Sequence, residues 1–298
     1  MIRWDQQPMD EATRQSVIGS LCRQYPWLQV RPIGKSILGR ELPALYIPTL
    51  PGTPSFHRPL LLTGAFHGME WITASLLLRF TQTLCTMRQE GKYPFCRDCT
   101  VIPCVNPDGV EIQIHGSDAA GNLCAFVEKI SGGDTLHWQA NARGVDLNHN
   151  FDAKWHRLKK MEQEAGITRP AMTRFGGRAP ESEPESRALA WFCRKNPFAM
   201  AVALHSQGEE IYYDFGHITP KHSLLLAESM AQVSGYRVAS PTGLASYGGF
   251  KDWFLLHFRR PAFTIEVGKG ENPLPVRDFF PIYDKVEAML FTLLAAEE

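Results

Sequence analysis

The chain has 298 residues and no net formal charge. Its length can bury the core of one ordinary α/β domain, and its neutrality gives no reason to expect nucleic acid or an anionic membrane as a partner. No apolar stretch approaches the roughly 20 residues that cross a bilayer, and no basic N-terminal segment leads into an apolar run. We therefore expect a cytoplasmic protein, and we make no prediction of its oligomeric state.

The cysteines point to reduced thiols. There are seven of them, an odd number, and no export signal accompanies them, so a disulfide framework is not expected. Cys96 and Cys99 form one C-x-x-C pair, but a structural zinc site needs a second pair at suitable spacing. The pattern favours an inert pair over a metal or redox role.

Hydrophobic periodicity predicts strands that alternate with helices. In chain order, the predicted elements are a helix over about 10–25, a strand over 41–48, a buried strand over 59–66, a helix over 71–87, a strand over 99–109 closed by the turn residues Asn106, Pro107, Asp108 and Gly109, a helix over 182–195, a strand over 198–206, a helix over 224–235, a strand over 261–270 and a helix over about 280–295. The helix over 182–195 has a capping box, with Ser182 as N-cap, Pro184 in the first turn and Glu185 at the third helical position. The alternation indicates an α/β sheet with helices on both faces.

Three ionisable side chains stand at or near the ends of predicted strands. His67 follows the strand over 59–66, His205 lies at the end of the strand over 198–206, and Glu266 lies in the last strand. In open α/β sheets, ligands bind outside the carboxyl ends of the strands. We therefore expect the three side chains to converge although they are far apart in sequence.

His67 and Glu70 form an H-x-x-E pair in the stretch GAFHGMEW. A catalytic zinc ion takes three protein ligands, and two histidines with one glutamate are a documented set. Residues three apart on a turn entering a helix lie on the same side, and His205 fits as the third ligand. The pair alone is a weak signal, because a surface pair or a hydrogen-bonded histidine gives the same pattern.

The motifs that accompany this pair make the joint signal strong. In chain order they are GAFHGMEW, VNPDGV, GVDLNHNFD, SEPES, LHSQG, GGFKDWF and FTIEVG. The series, from about residue 60 to 275, resembles the zinc carboxypeptidase family, the carboxypeptidase A-like metallopeptidases. The resemblance implies a single metallopeptidase domain over residues 1–298, built on a twisted mixed eight-stranded sheet with helices on both faces, in which the helix and strands of residues 1–50 pack on the catalytic core.

The resemblance also implies the catalytic residues. One zinc ion per chain is expected on His67, Glu70 and His205, and Glu266 is expected to be the general base. Zinc lowers the pKa of its bound water and polarises the scissile carbonyl. Glu266 would accept the proton of the water and pass it to the leaving amine.

Two arginine positions of the family pattern hold other residues. The family usually binds a C-terminal carboxylate with an Asn-Arg pair, but here Asn148 is followed by His149, which offers fewer donors and is often neutral. Bacterial members often place an oxyanion-stabilising arginine where this chain has Gln139, which can donate a hydrogen bond but brings no charge. Arg143 or the zinc ion itself is a candidate to supply the missing charge.

The family's mobile substrate tyrosine is also absent from its usual position, which is Leu244. Tyr247, next to the glycines of GGFKDWF, is either a substitute substrate contact or a packing aromatic at a turn. Ser206, directly after His205, is a further candidate for substrate binding.

The segments NARGVDLNHNFDA, KDWF and FTIEVGKGENPLP together resemble one branch of the family. This branch contains the bacterial γ-D-glutamyl-meso-diaminopimelate and γ-D-glutamyl-L-diamino acid endopeptidases, which cut peptidoglycan stem peptides after D-glutamate. The resemblance implies a peptide or peptidoglycan-fragment substrate, read by a dispersed polar set: Asn148, His149, Arg143, Arg178 and Lys269. The alternatives are a metallocarboxypeptidase of other specificity, a zinc deacylase or amidase on small amino-acid conjugates, and a non-catalytic binding module. Retention of Glu266 beside a full ligand set argues against the last.

Overall fold

The described residues form nine α-helices and eight β-strands. The structure is a computed structural model that describes residues 2–50, 52 and 58–296. The helices are α1 (Glu11–Gln24), α2 (Ile72–Gln89), α3 (Pro107–His115), α4 (Cys124–Ser131), α5 (Trp155–Glu164), α6 (Pro184–Lys195), α7 (Ser223–Ser234), α8 (Phe250–Phe258) and α9 (Phe279–Ala295). The strands are β1 (Gln29–Lys35), β2 (Glu41–Ile47), β3 (Leu60–Thr63), β4 (Cys99–Ile102), β5 (Met200–His205), β6 (Glu210–Tyr212), β7 (Arg237–Ala239) and β8 (Ala262–Glu266).

The eight strands form one mixed sheet in the order β1-β2-β4-β3-β5-β8-β6-β7. β4, β3, β5 and β8 run parallel in the middle of the sheet. β2 is antiparallel to β4 on one side, and β6 is antiparallel to β8 on the other. The carboxyl ends of the central strands therefore meet on one side of the molecule, as the prediction for the polar side chains requires.

Alternate residues of the central strands are buried on opposite faces of the sheet. Leu60 and Leu62 of β3 belong to a core shared with α1, α2, α7 and α9, whereas Leu61 belongs to a second core shared with α6 and α8. Val202 and Ala203 of β5 divide in the same way. Strands buried on both faces have continuous apolar sequences, which is why β3 and β5 are recognisable. The single α/β domain with helices on both faces is confirmed.

The N-terminal residues belong to the same sheet and core. β1 and β2 add two antiparallel strands to it, and α1 packs against α2. The helices predicted over 10–25, 71–87, 224–235 and 280–295 correspond to α1, α2, α7 and α9. All seven cysteines lie within the described residues and are free thiols, with Cys96 exposed and Cys99 buried. Within the same residues, no helix is both long and apolar enough to span a membrane.

Two predictions of local structure are wrong. Asn106 to Gly109 begin a helix instead of closing a strand: Asn106 caps α3 by accepting from the Gly109 amide at 2.9 Å, and Pro107 takes the first helical position. Proline fits there because a first-turn amide has no partner within the helix. Ser182 is not the cap of α6, since the N-cap is Glu183, to whose Oε1 the Ser182 hydroxyl donates at 2.9 Å.

Candidate metal centre and active-site cleft

The predicted metal ligands and Glu266 meet at the carboxyl ends of neighbouring strands. His67 follows β3, and Glu70 lies in the short 3-10 turn Gly68–Glu70 that leads into α2. His205 ends β5 and Glu266 ends β8, and the two are register partners across this parallel pair. Their side chains therefore leave the sheet side by side.

The three predicted ligands form one compact group. His67, Glu70 and His205 each offer an atom, and these atoms lie within 4.8 Å of one another. Nδ1 of His67 lies 2.8 Å from Glu70 Oε1, and Nδ1 of His205 lies 3.0 Å from Glu70 Oε2. The ring of Phe66 stacks on His205 with the centroids 5.2 Å apart. Two imidazole nitrogens facing one carboxylate are a donor set of catalytic zinc, so the triad fits that ion.

Asp146 orients His67 from the other side of the ring. Its Oδ1 lies 3.1 Å from His67 Nε2, and its Oδ2 accepts from the Arg174 amide at 3.0 Å. Burial alone would raise the pKa of Asp146, but the positive charges of His149 and His67 hold that pKa well below its usual range. Metal-binding histidines typically donate their second N–H to such a carboxylate. The contact leaves Nδ1 of His67 for the metal.

Glu70 and Glu266 lie in different electrostatic surroundings. Burial alone would raise the pKa of Glu70, but the charges of His67 and His205 lower it to about 2. Desolvation raises the pKa of Glu266 well above its usual range, the charge of Glu70 adds to this rise, and His67 opposes it. A cation held by the triad would favour the ionised form of Glu266. Glu266 is therefore a carboxyl group whose proton affinity depends on its immediate neighbours, as a general base requires.

The NPDG segment holds the turn that carries His67. Nδ2 of Asn106 donates to the carbonyl oxygens of Phe66 and Gln139 at 3.0 Å each. Gly68 and Gly109 approach each other at the same place: a Cβ on Gly68 would lie 2.2 Å from the Gly109 oxygen, and a Cβ on Gly109 would lie 2.4 Å from a neighbouring carbonyl. The approach requires glycine at both positions. NPDG is thus a structural support of the site.

The metal centre opens into a cleft of about 320 Å³. Its walls come from six separate segments of the chain. Besides His67, His205 and Glu266, the lining residues are Gln139, Asp146, Asn148, His149, Arg174, Tyr212, Pro241, Thr242, Leu244, Ala245, Gly249, Lys251, Asp252 and Thr264. Most of them are polar, so the cleft is suited to a polar or charged ligand.

The sequence profile described as zinc carboxypeptidase matches residues 15–288, most of the chain. The chain belongs to the zinc carboxypeptidase family. The curated protein gamma-D-glutamyl-L-diamino acid endopeptidase 1 of Lysinibacillus sphaericus is 36% identical over 298 residues, which cover 94% of this chain and 70% of that protein. With its His67, Glu70 and His205 triad, this family member is a zinc metallopeptidase.

Two solved structures show the carboxypeptidase A-like fold of the family. Bovine thrombin-activatable fibrinolysis inhibitor, solved in complex with tick carboxypeptidase inhibitor, has a TM-score of 0.76 at 21% identity and covers 98% of each chain. Carboxypeptidase A from Helicoverpa armigera has a TM-score of 0.74 at 21% identity, with 99% of this chain and 75% of that one covered. The predicted mixed eight-stranded fold is therefore confirmed.

Three of the predicted polar residues lie in the cleft. Gln139 accepts a hydrogen bond from the Thr173 hydroxyl at its Oε1. Oδ1 of Asn148 accepts from the Phe250 amide at 3.0 Å, and its Nδ2 has no partner within the described part of the chain. His149, the third, takes the place of the family's arginine and is 8% exposed.

His149 is fixed on one edge of its ring. Its Nδ1 donates to the Arg174 carbonyl at 3.0 Å and lies 3.5 Å from Glu162 Oε1. Burial alone would lower the pKa of His149, but the charges of Asp146 and Glu162 raise it. The ring is therefore protonated more readily than a free histidine, although it offers the cleft one donor instead of a guanidinium fork.

The other predicted substrate residues lie outside the cleft lining. Arg143 pairs with Glu183 at 2.8 Å and lines a separate cavity with Arg178. Lys269 is 73% exposed and pairs with Glu209 at 2.8 Å. Tyr247 packs edge-on against Phe215 and lies under the Arg157 guanidinium. The Ser206 hydroxyl donates to Asn272 Oδ1 at 2.9 Å.

Several cleft residues escaped the sequence reasoning. Arg174 lies in a loop without periodicity, and Thr264 lies within an apolar strand. Lys251 and Asp252 belong to the GGFKDWF motif, but the sequence analysis predicted no binding role for either charge. Both are buried, the Lys251 ammonium donates to the Asp214 carbonyl at 2.6 Å and to Asp252 Oδ1, and burial raises the pKa of Asp252 to about 6. A charged pair in a helix next to two glycines was the one available signal.

Proposed function

We propose that the protein hydrolyses the amide bond between γ-D-glutamate and a diamino acid in peptidoglycan stem peptides. The family assignment supports peptide hydrolysis, and the relative named gamma-D-glutamyl-L-diamino acid endopeptidase 1 supports this substrate class. The likeness extends over 94% of the chain, so it includes the metal centre, the cleft walls and the segments between them. Cytoplasmic localisation and one zinc ion per chain stay predictions.

The observation that carries the proposal is the position of Glu266 beside the triad in one polar cleft. A zinc ion bound by His67, Glu70 and His205 would polarise the scissile carbonyl and lower the pKa of a coordinated water. Glu266 accepts the proton of the attacking water as the carbon–oxygen bond forms. It then gives that proton to the leaving amine nitrogen as the carbon–nitrogen bond breaks.

The polar walls supply the binding contacts that the family's arginines supply elsewhere. The side-chain amides of Asn148 and Gln139 line the cleft and bring donors to it, of which Gln139 Nε2 also contacts Met69 Sδ at 4.0 Å, and His149 adds a readily protonated ring. Donors of this kind hold a carbonyl or carboxylate oxygen by single hydrogen bonds. The arrangement suits a substrate with several dispersed carboxylates better than one with a single terminal carboxylate.

The Lys251–Asp252 pair favours a substrate whose diamino acid side chain carries charges of both signs. An ammonium has three donors, and Lys251 uses two of them on Asp214 and Asp252, so one remains for a ligand. Asp252 offers a carboxyl group beside it. A diaminopimelate side chain ends in an ammonium and a carboxylate, which complement this pair, whereas a lysine side chain ends in an ammonium alone.

Three alternatives stay open in the design of the test. A metallocarboxypeptidase of other specificity would hold a terminal carboxylate with the His149 ring, whose raised pKa favours its protonated form. A deacylase or amidase would use the same centre on small amino-acid conjugates. A non-catalytic binding module would have no use for Glu266.

The test is product analysis by mass spectrometry with the zinc-loaded protein. The substrates are L-Ala-γ-D-Glu-meso-diaminopimelate, the same tripeptide with L-lysine, a plain peptide with a free C-terminus and an N-acyl amino acid. The proposal predicts release of the diamino acid, with faster turnover of the diaminopimelate peptide. Cleavage of the plain peptide alone would support the carboxypeptidase alternative, cleavage of the N-acyl amino acid alone the deacylase, and cleavage of none the binding module.

A further inference from the structure

Arg174 places a guanidinium in the wall of the active-site cleft. The side chain is exposed and lines the cleft together with Gln139, Asn148 and His149. Within residues 2–50, 52 and 58–296, this guanidinium makes no hydrogen bond, ion pair or ring contact. A guanidinium that belongs to a residue of the cleft wall and has no partner among the described residues is available to a ligand.

The backbone of Arg174 is held by the same groups that build the metal centre. Its amide donates to Oδ2 of Asp146, whose Oδ1 contacts Nε2 of the metal ligand His67. Its carbonyl accepts from Nδ1 of His149 at 3.0 Å. Its φ of 65° lies in the left-handed region, which few non-glycine residues adopt. Contacts on both sides hold this conformation, so the backbone position from which the side chain extends is fixed by the site itself.

The neighbouring loop residues attach the same segment to Gln139. The carbonyl of Met172 accepts from the amides of Gln139 and Ala140 at 3.0 and 2.9 Å, and the Thr173 hydroxyl donates to Gln139 Oε1. Arg174 therefore stands beside both positions, 139 and 149, at which this chain lacks the family's arginine. The guanidinium of the cleft therefore belongs to Arg174, in a different loop from the two arginine positions of the family.

We infer that Arg174 is the carboxylate-binding residue of this cleft and determines its preference for substrates with a carboxylate close to the scissile bond. A planar guanidinium holds a carboxylate by two parallel hydrogen bonds, a geometry that neither Gln139 nor His149 can supply. On the substrate proposed above, on which this inference rests, the carboxylate is either the α-carboxylate of D-glutamate or the α-carboxylate of the diamino acid. Both are recognised by the same chemistry.

The experiment compares Arg174→Met with Arg169→Met in the zinc-loaded full chain. Arg169 is an exposed arginine of the preceding segment that lies outside the cleft. Each protein is given L-Ala-γ-D-Glu-meso-diaminopimelate and two derivatives, one with the α-carboxylate of D-glutamate amidated and one with the α-carboxylate of the diamino acid amidated, so that the distal carboxylate assigned to Lys251 stays intact. Arg174→Lys is included because a lysine retains the charge without the fork.

In Arg174→Met, KM for the unmodified peptide is expected to rise about 10- to 100-fold with little change in kcat, as the loss of a charge-assisted bidentate contact predicts. The wild type should discriminate against one of the two amidated peptides, which identifies the carboxylate, and Arg174→Met should lose that discrimination. Arg174→Lys should regain part of it. Arg169→Met should behave as the wild type.

Unchanged KM and unchanged discrimination in Arg174→Met would overturn the inference. If the wild type cleaves none of the γ-D-glutamyl peptides, the proposed function has failed, and Arg174 is then tested by calorimetric binding of glutarate, a plain dicarboxylate. Weaker glutarate binding by Arg174→Met than by Arg169→Met supports the role of Arg174, and equal binding refutes it. Zinc content and the unfolding midpoint, expected to be unchanged, show that the variant is folded.

Discussion

Replacing Asn106 with alanine is expected to lower the free energy of unfolding by about 3 to 5 kcal/mol, because one fully buried carboxamide satisfies four backbone groups. Its Nδ2 donates to the carbonyl oxygens of Phe66, Gln139 and Ala140 at 3.0, 3.0 and 3.1 Å. Its Oδ1 accepts from the Gly109 amide at 2.9 Å. All four groups lie around the turn that carries the metal ligands.

The magnitude follows from the groups that alanine would leave unpaired. The Gln139 carbonyl keeps a hydrogen bond from the Gly68 amide at 3.1 Å. The Phe66 and Ala140 carbonyls and the Gly109 amide have no second partner among the described residues. An unsatisfied buried polar group costs about 1 to 3 kcal/mol, so three of them would cost about 3 to 9 kcal/mol. Partial relaxation or an entering water keeps the loss near the lower end of this sum, at about 3 to 5 kcal/mol.

The assay is urea unfolding followed by tryptophan fluorescence, with Asn196→Ala as the matched control. Asn196 is half-buried, and its Nδ2 donates one hydrogen bond, to the Phe192 carbonyl at 2.8 Å. Its replacement should cost about 1 kcal/mol or less. Asn106→Asp keeps the acceptor for Gly109 and loses the donors, so it should be at least as unstable as Asn106→Ala. Equal, small losses in the two alanine variants would refute the reasoning.

Three further predictions concern charged groups of the site and its surroundings. Asp146→Ala removes the carboxylate on His67 Nε2 and should weaken zinc binding about 10- to 100-fold in a chelator competition, and an unchanged affinity would contradict the assigned role. Burial and nearby carboxylates raise the pKa of Glu185 to about 8, against 4.5 in the unfolded chain, so the folded protein keeps a proton that the unfolded chain releases. The free energy of unfolding should therefore fall by a few kcal/mol as the pH rises from about 5 to about 8. Thermal unfolding at a series of pH values should show a weaker pH dependence in Glu185→Gln. A pH dependence in the variant equal to that of the wild type would exclude Glu185 as its source. Lys251→Met should reduce kcat/KM for the diaminopimelate tripeptide by about tenfold and leave kcat/KM for the lysine tripeptide nearly unchanged. An equal loss for both tripeptides would mean that Lys251 does not bind the distal carboxylate.

The central strands and the residues at their ends were predictable because their burial leaves a clear mark in the sequence. β3, β5 and β8 are apolar runs, and a histidine or glutamate at the end of such a run is conspicuous. The order of the motifs along the chain was enough to indicate the family. The short strands β6 and β7 at one side of the sheet, of three residues each, carry no comparable signal.

The polar walls of the cleft could not be assigned from the sequence, because charge alone does not show which partner an arginine finds. Arg143 lies in the family motif but pairs with Glu183, whereas Arg174 lies in a loop without a motif and lines the cleft. Arg174 lines the cleft because Asp146 and His149 hydrogen-bond to its loop backbone, and these are tertiary contacts. The turn at Asn106 was misread for the same reason, since its side chain serves a helix and three distant carbonyls at once.

The most direct test of the account compares turnover and zinc content in the wild type and Glu266→Gln, prepared side by side. Glutamine keeps the shape of the side chain and removes its ability to accept a proton, while His67, Glu70 and His205 stay intact. The account predicts one zinc ion per chain in both proteins and a loss of turnover of at least about a hundredfold in the variant, as for removal of a general base. Turnover that survives in Glu266→Gln, or a variant that no longer binds zinc, would contradict it.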